Sequence, residues 1–369
     1  MKDKFDYMLL ILTLVLVFFG LIMVYSASAV FSERSFNDDP FHIFKNQLTW
    51  TIIGLLILVI TVFIPVRLYE RLAWIILGLT IASLALVFIP GLSVKVLGAK
   101  RWVSLLGVSF QPSELAKVAV IIFLARLLKD ENRIEDAKLT FFPGLIVLSI
   151  ISALVIFEPD FGTSMEIFIL GMIVMFIAGI RFLNLAAVGA ALVPIAGILI
   201  LLAGYRKERI LAFIDPHKLS STSGYQIIQS LIAIGSGGVS GTGLGNSIQK
   251  LFFLPQAHSD YIFAIIGEEL GFIGSVFVLI LFFLLLLKGF RIARNAEGRF
   301  EQLLAFGITF HILLQTFLNI GITLGLLPPK GLPLPFFSAG GSSLIITLFE
   351  IGILLRISFK NELDKQYGR

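Results

Sequence analysis

The chain has 369 residues, 57% of them hydrophobic and 14% charged, with a mean hydropathy of +0.96. A water-soluble domain carries about 25% charged residues, so that class is excluded, and continuous rather than alternating apolar runs exclude a β-barrel. The formal net charge of +5 comes from basic residues dispersed among short polar segments, which excludes a nucleic-acid-binding face; with no cysteine there is neither disulfide nor thiolate chemistry.

The first apolar run begins at Tyr7, after Lys2 and Lys4, and is too long for the core of a signal peptide, so it reads as a retained span. Further apolar runs, each separated by charged or Pro/Gly breaks, predict ten spans at about 7–29, 48–64, 72–89, 113–128, 141–157, 162–180, 183–204, 260–287, 301–325 and 340–356. Arg181 alone marks the sixth junction, which makes that turn tight. The expected fold is therefore all-α: one polytopic membrane domain over 1–369, of about ten transmembrane helices. An even number of spans puts both termini on one side. That side holds the greater share of the 29 Lys and Arg residues, which places it in the cytoplasm.

The long segment 205–258 then falls outside, between the seventh and eighth spans. It keeps Arg206, Lys207, Arg209, Lys218 and Lys250 on a side that normally carries few cations. Such charge suits either an anionic ligand, for example a lipid phosphate, or an ordinary solvated loop. Residues 224–234 have the pattern of a short amphipathic helix lying on the membrane. The glycine-rich run 235–245 lacks the Gly-Lys-Ser/Thr of a nucleotide loop; a backbone bend, a phosphate-facing nest and a flexible loop are all open readings. The four histidines (His42, His217, His258, His311) show no metal-ligand spacing.

Asp260 carries the most information. It opens the eighth span in Leu254-Pro-Gln-Ala-His-Ser-Asp-Tyr-Ile-Phe, where a carboxylate is costly to desolvate. It is either a helix cap or, next to a basic loop and His258 and Ser259, a general base toward a sugar hydroxyl. Glu268 and Glu269 lie too far along the same helix to pair with it and read as buried structural acids with basic partners. Glu114 and Lys117 share one face of the fourth span, either as an internal ion pair or as part of the cavity holding Asp260. Before them, Arg101 is suited to a phosphate and Trp102 to a sugar ring. Asp160, in the turn Glu158-Pro-Asp-Phe-Gly162, is a helix cap or, at the outer rim, a residue with a metal or substrate role. The stretch from Pro328 to Ser343 is too rich in Pro and Gly for a helix, so it must be buried or line a wet cavity, to which Lys330 brings a cation.

Together, Lys100–Trp102, Gln111–Lys117, Glu158–Thr163, Gly224–Ser230, Ala257–Phe263, Gly267–Gly271 and Asn319–Gly321 through Ser343 resemble the SEDS family of shape, elongation, division and sporulation proteins. The likeness runs from about Asp6 to Arg356. Gly241–Ser247 running on to Leu254-Pro, with Ile266–Gly271, is more similar to the branch of FtsW and SpoVE than to RodA. The resemblance implies a peptidoglycan glycosyltransferase that polymerises lipid II, working in the bacterial cell membrane with a class B penicillin-binding protein and other division or elongation proteins. It implies Asp260 as the essential aspartate, with Arg101, Glu114, Lys117, Asp160 and Lys330 around an outward cavity. Gln256 stands where many members have Glu, and Ala339 where Tyr is usual.

The expected reaction is an inverting transfer on the extracytoplasmic side from a lipid-linked glycan to lipid II. Asp260 takes the hydroxyl proton, while Arg101, Lys117, Lys330 and the loop bases, Arg206 and Arg209 among them, hold the diphosphate. A divalent cation, magnesium or manganese, is the one cofactor that would share that charge; no organic cofactor is expected. Desolvation would raise the Asp260 pKa and a helix dipole would lower it. A lipid II flippase and a non-catalytic scaffold for the penicillin-binding protein are the alternatives.

Overall fold

The computed structural model describes residues 6–96, 99–105, 108–134, 136–202, 204–219 and 223–366. Within them run α1 (Tyr7–Ser35), α2 (His42–Phe63), α3 (Val66–Leu86), α4 (Pro112–Leu127), α5 (Phe141–Phe157), α6 (Phe161–Ala178) and α7 (Phe182–Leu202). Then come α8 (Gly204–Ile214), α9 (Ser223–Gly237), α10 (Ile262–Asn295), α11 (Arg299–Thr323) and α12 (Gly341–Gln366). The ten expected spans correspond to α1–α7 and α10–α12. Among the described residues eight helices are long and apolar enough to cross a membrane; α5 is apolar but shorter, and α4 carries Glu114, Lys117 and Arg126.

Between α3 and α4 the chain forms a small antiparallel sheet, β1 (Ser93–Val96), β2 (Ala99–Leu105) and β3 (Val108–Phe110), in the order β1-β2-β3. Nothing in the sequence reading anticipated these strands, nor α8. The amphipathic segment read at 224–234 is α9.

Lipid supplies no hydrophobic drive between spans, so the bundle depends on close approach and buried polar contacts. Helices α4 and α11 form its centre: α4 is buried almost throughout from Pro112 to Ala125, and a Cβ at Gly307 of α11 would stand 2.5 Å from Ile121 of α4. Helix α7 is the opposite case. Only 6% of its apolar window is buried, so it stands at the edge of the bundle, packed lightly on α6 and α8.

The irregular stretch between α11 and α12 passes through the interior, and side-chain amides and hydroxyls satisfy its backbone, as buried irregular chain requires. Asn319 donates to the carbonyls of Leu332 (2.7 Å) and Asp260 (2.8 Å), and Gln315 donates to Pro333 (2.9 Å). Ser338 Oγ donates to the Ser259 carbonyl (2.6 Å), and the Ala339 amide donates to the His258 carbonyl (2.9 Å). Residues 258–260 are thus fastened to the proline-rich stretch and to α11 on three consecutive carbonyls.

The glycine-rich run is held to α10 by backbone hydrogen bonds. The amides of Thr242 and Gly243 donate to the carbonyls of Glu268 and Glu269, and those of Phe272 and Ile273 donate to Gly238 and Val239. Gly241 (φ +80°) and Gly271 (φ +66°) take left-handed backbone where this run crosses a kink in α10. The run is a backbone clasp, which resolves its open reading in favour of the bend.

Candidate active site

Asp260 precedes α10 but does not cap it. The cap position is Tyr261, which makes no side-chain cap bond, and no described residue hydrogen-bonds to the Asp260 carboxylate. The carboxylate lines a cavity of about 420 Å³. Burial pushes its pKa up to about 7, against the opposing charges of Arg209 and Arg101, while Asp160 adds to the rise. Desolvation therefore wins, and Asp260 is poised between acid and base near neutral pH.

Four separate segments supply the charges around it. Arg101, on β2, is anchored to the α5–α6 turn: Nη2 donates to the Pro159 carbonyl (2.5 Å), Nε donates to the Glu158 carbonyl (3.3 Å), and Nη1 lies 3.5 Å from Asp160 Oδ2. Asp160 caps α6 by accepting from the Thr163 amide (3.1 Å), and it also lines the cavity. Lys330 enters from the proline-rich stretch, where burial lowers its pKa against Glu166 and Asp160. Arg209 comes from α8. Glu158, beside Arg101, is buried with both carboxylate oxygens unpartnered; burial pushes it up to about 8, so it is mostly neutral at pH 7.

Trp102, His258 and Ser259 also line this cavity. Burial pulls the His258 pKa down to about 4, so its ring is a neutral donor and acceptor rather than a cation for phosphate. Ser259 Oγ is held by Gln256 Oε1 (2.9 Å), and Gln256 itself takes left-handed backbone (φ +56°) at the turn that delivers Asp260. Gln256 and Ala339, the two departures from the family pattern, both line the cavity.

The cavity is continuous with a second, of about 380 Å³, that shares Arg101, Asp160, Arg209, Lys330 and Gly331. The second runs away from the charges along Ile169, Ala196, Ile200, Leu318 and Ile322, beside the loosely packed α7. Arg206 borders it, stacked on Phe161 (5.1 Å) and donating to the Leu199 carbonyl (3.0 Å).

Glu114 and Lys117 are placed differently from the expected cavity wall. They lie inside the bundle in a buried network: Lys117 Nζ is 3.0 Å from Glu114, 3.8 Å from Glu166 and 3.0 Å from Gln315 Oε1. His311 bridges Glu166 (3.6 Å) and Glu350 (2.8 Å). An α4 carboxylate and ammonium pointing into the helical centre find partners there before they reach the cavity. Glu166 reaches the second cavity. The sequence reading missed Glu166 and Glu350 and gave His311 no role beyond excluding metal-ligand spacing; ionisable residues inside apolar runs were the available signal.

Lys250 is also placed differently. Its Nζ pairs with Glu269 (2.7 Å) and Ser26 (3.1 Å), so it holds the loop rather than a ligand. Glu268 accepts from Ser247 Oγ and from the amides of Ile248 and Gln249, so both acids are structural, as expected, although the contacts of Glu268 are hydroxyl and amide rather than basic. Among the described residues no group of three or more His, Asp or Glu side chains is placed to hold a metal ion.

An all-α, multi-pass membrane protein whose charged cavity opens onto an apolar groove is the class that this arrangement defines. The family model described as cell cycle protein, covering FtsW, RodA and SpoVE, matches residues 6–363. Proteins named "Probable peptidoglycan glycosyltransferase FtsW" are similar along nearly their whole length. That of Geobacter sulfurreducens is 40% identical over 96% of this chain and 95% of its own, and that of Coxiella burnetii 40% over 97% of each. Among solved structures, a chain from "a peptidoglycan synthase complex" superposes with a TM-score of 0.79 at 26% identity, covering 98% of this chain and 99% of that one. The rod shape determining protein RodA of Thermus thermophilus gives 0.72 at 27%, with the same coverage. The chain belongs to the FtsW/RodA/SpoVE family.

Proposed function

We propose that this protein is a peptidoglycan glycosyltransferase that polymerises lipid II, with Asp260 as the general base. The observation that carries this reading is the position of Asp260. Its unbonded carboxylate stands in a cation-lined cavity that opens onto an apolar groove, a shape that accepts a polyprenyl chain, a diphosphate and a sugar in succession.

In this reading the 4-hydroxyl of N-acetylglucosamine on lipid II attacks the anomeric carbon of the lipid-linked glycan. The new glycosidic C–O bond forms as the bond from that carbon to the diphosphate oxygen breaks, with inversion. The hydroxyl proton passes to Asp260. Arg101, Arg209 and Lys330 take up the charge that develops on the lipid diphosphate, in a partly dry site where fixed cations act strongly. Lys117 has no direct part, because its ammonium is spent inside the bundle. The distribution of Lys and Arg supports cytoplasmic termini and an extracytoplasmic cavity. A class B penicillin-binding protein would be the companion that cross-links the product.

The test is the full chain reconstituted in vesicles with that companion and supplied with fluorescent lipid II. Glycan polymer formed by the wild type supports the reading. Lipid II that crosses the bilayer without any polymer forming points to a flippase and overturns it.

A further inference from the structure

At His258 and Ala339 the Asp260 cavity adjoins, away from the apolar groove, a third space of about 410 Å³. The two share Trp102, His258, Ala339 and Gly340. Asn46 and Trp50 of α2, Ser109 of β3 and Ser342 of α12 are among the other residues that line the third. Its size falls within the range of small-ligand pockets.

What sets this space apart is its charge. Among the described residues no Lys, Arg, Asp or Glu lines it, whereas Arg101, Asp160, Arg209 and Lys330 crowd the neighbouring cavity. Among the described residues the three adjoining spaces are therefore apolar at one end, ionic in the middle and uncharged at the other end. A phosphate or a peptide carboxylate finds no counter-charge among those described residues. Two indole rings offer flat apolar faces, and Asn46, Ser109 and His258 offer amide, hydroxyl and imidazole groups that donate and accept. That set fits a pyranose ring, which has apolar C–H faces and a polar edge.

The walls are firm. Gln47 donates to the Ser338 carbonyl (3.2 Å) and accepts from the Gly340 amide (3.1 Å), which fixes the rim. Gly341 packs directly on the indole of Trp50: a Cβ there would stand 2.5 Å from its Cγ.

Building on the glycosyltransferase reading, we infer that this third space is a saccharide subsite that takes an uncharged, N-acetylated hexosamine ring of the glycan adjacent to the reacting bond. Asp260 then sits between the diphosphate and the sugars. The same ring chemistry comes from two sources, the growing strand and the incoming lipid II.

The chain has three tryptophans, two of them here; the third, Trp74, packs edge-on against Phe123 (4.9 Å) on the far side of α4. Indole fluorescence of the full chain, titrated with N-acetylglucosamine tetrasaccharide, therefore reports on the space directly, without any catalysis. We expect a saturable change that persists in Asp260→Asn and weakens about tenfold in Trp50→Ala, where Trp102 still reports. Trp50→Phe keeps a ring and should bind nearly as the wild type does, which separates a lost contact from a misfolded protein. In polymerisation assays, Trp50→Ala that shortens the glycans at unchanged KM for lipid II assigns the subsite to the growing strand. A raised KM assigns it to the incoming lipid II. No saturable fluorescence change, or one that Trp50→Ala leaves intact, overturns the subsite. Asp260→Asn retaining polymerase activity would instead overturn the catalytic reading, leaving the binding result to stand or fall separately.

Discussion

Gly331 leaves no room for a side chain beside Asp260: a Cβ there would lie 2.9 Å from Oδ2. The carboxylate end is the movable partner in that contact, so Gly331→Ala should turn the carboxylate while leaving the fold in place. Misplacing a reacting group by about 1 Å costs on the order of 100-fold in rate. A fall of roughly that size in kcat, with an unchanged melting temperature and unchanged lipid II binding, is the expected outcome in a purified polymerisation assay.

The Asp260 pKa near 7 gives the reaction an acid limb. A base must be ionised to accept a proton, so the rate should rise with pH through about 7 and level off above it. Arg209 lowers that pKa by favouring the carboxylate, so Arg209→Gln should move the limb to higher pH, alongside any loss from weaker diphosphate binding. Measuring kcat against pH for both proteins checks the direction; a limb that moves to lower pH contradicts it.

The network at the bundle centre is a question of stability. The Lys117 side chain is fully buried and compensates Glu114 and Glu166 together. Lys117→Met removes the cation and strands the carboxylates, which costs about 3–5 kcal/mol when one partner of a buried pair is lost. A markedly lower thermal midpoint in detergent is expected, and Glu114→Gln combined with Lys117→Met should recover part of it.

The clasp over the α10 kink should be equally intolerant. A Cβ at Gly241 would stand within van der Waals overlap of the Glu269 carbonyl, in backbone that disfavours any side chain. Gly241→Ala costs at least about 1–2 kcal/mol from the left-handed conformation alone. Lower yield of folded protein, with normal activity per folded molecule, is the outcome that fits a structural role.

The spans were legible because each must supply its own apolar length, and a run of about 20 residues announces itself. The sheet was not: its strands are short and mix polar with apolar residues, and their pairing depends on contacts that no local pattern encodes. Asp260, Arg101, Asp160 and Lys330 stood out as charges at the ends of apolar runs, and the structure brings them to one cavity from four segments. Glu114 and Lys117 carried the same signal but point into the bundle, because helical phase rather than composition decides which wall they reach. Gly331, Asn46 and Trp50 were invisible for the opposite reason. They carry no charge, and their positions matter only through neighbours distant in the chain.

The most direct test of the account is the initial rate of lipid II polymerisation by Asp260→Asn, folded, inserted and assayed with its penicillin-binding protein at pH 8. Loss of a general base predicts a fall of about 10²–10⁴-fold with lipid II binding retained. A rate equal to that of the wild type would contradict the assignment of Asp260.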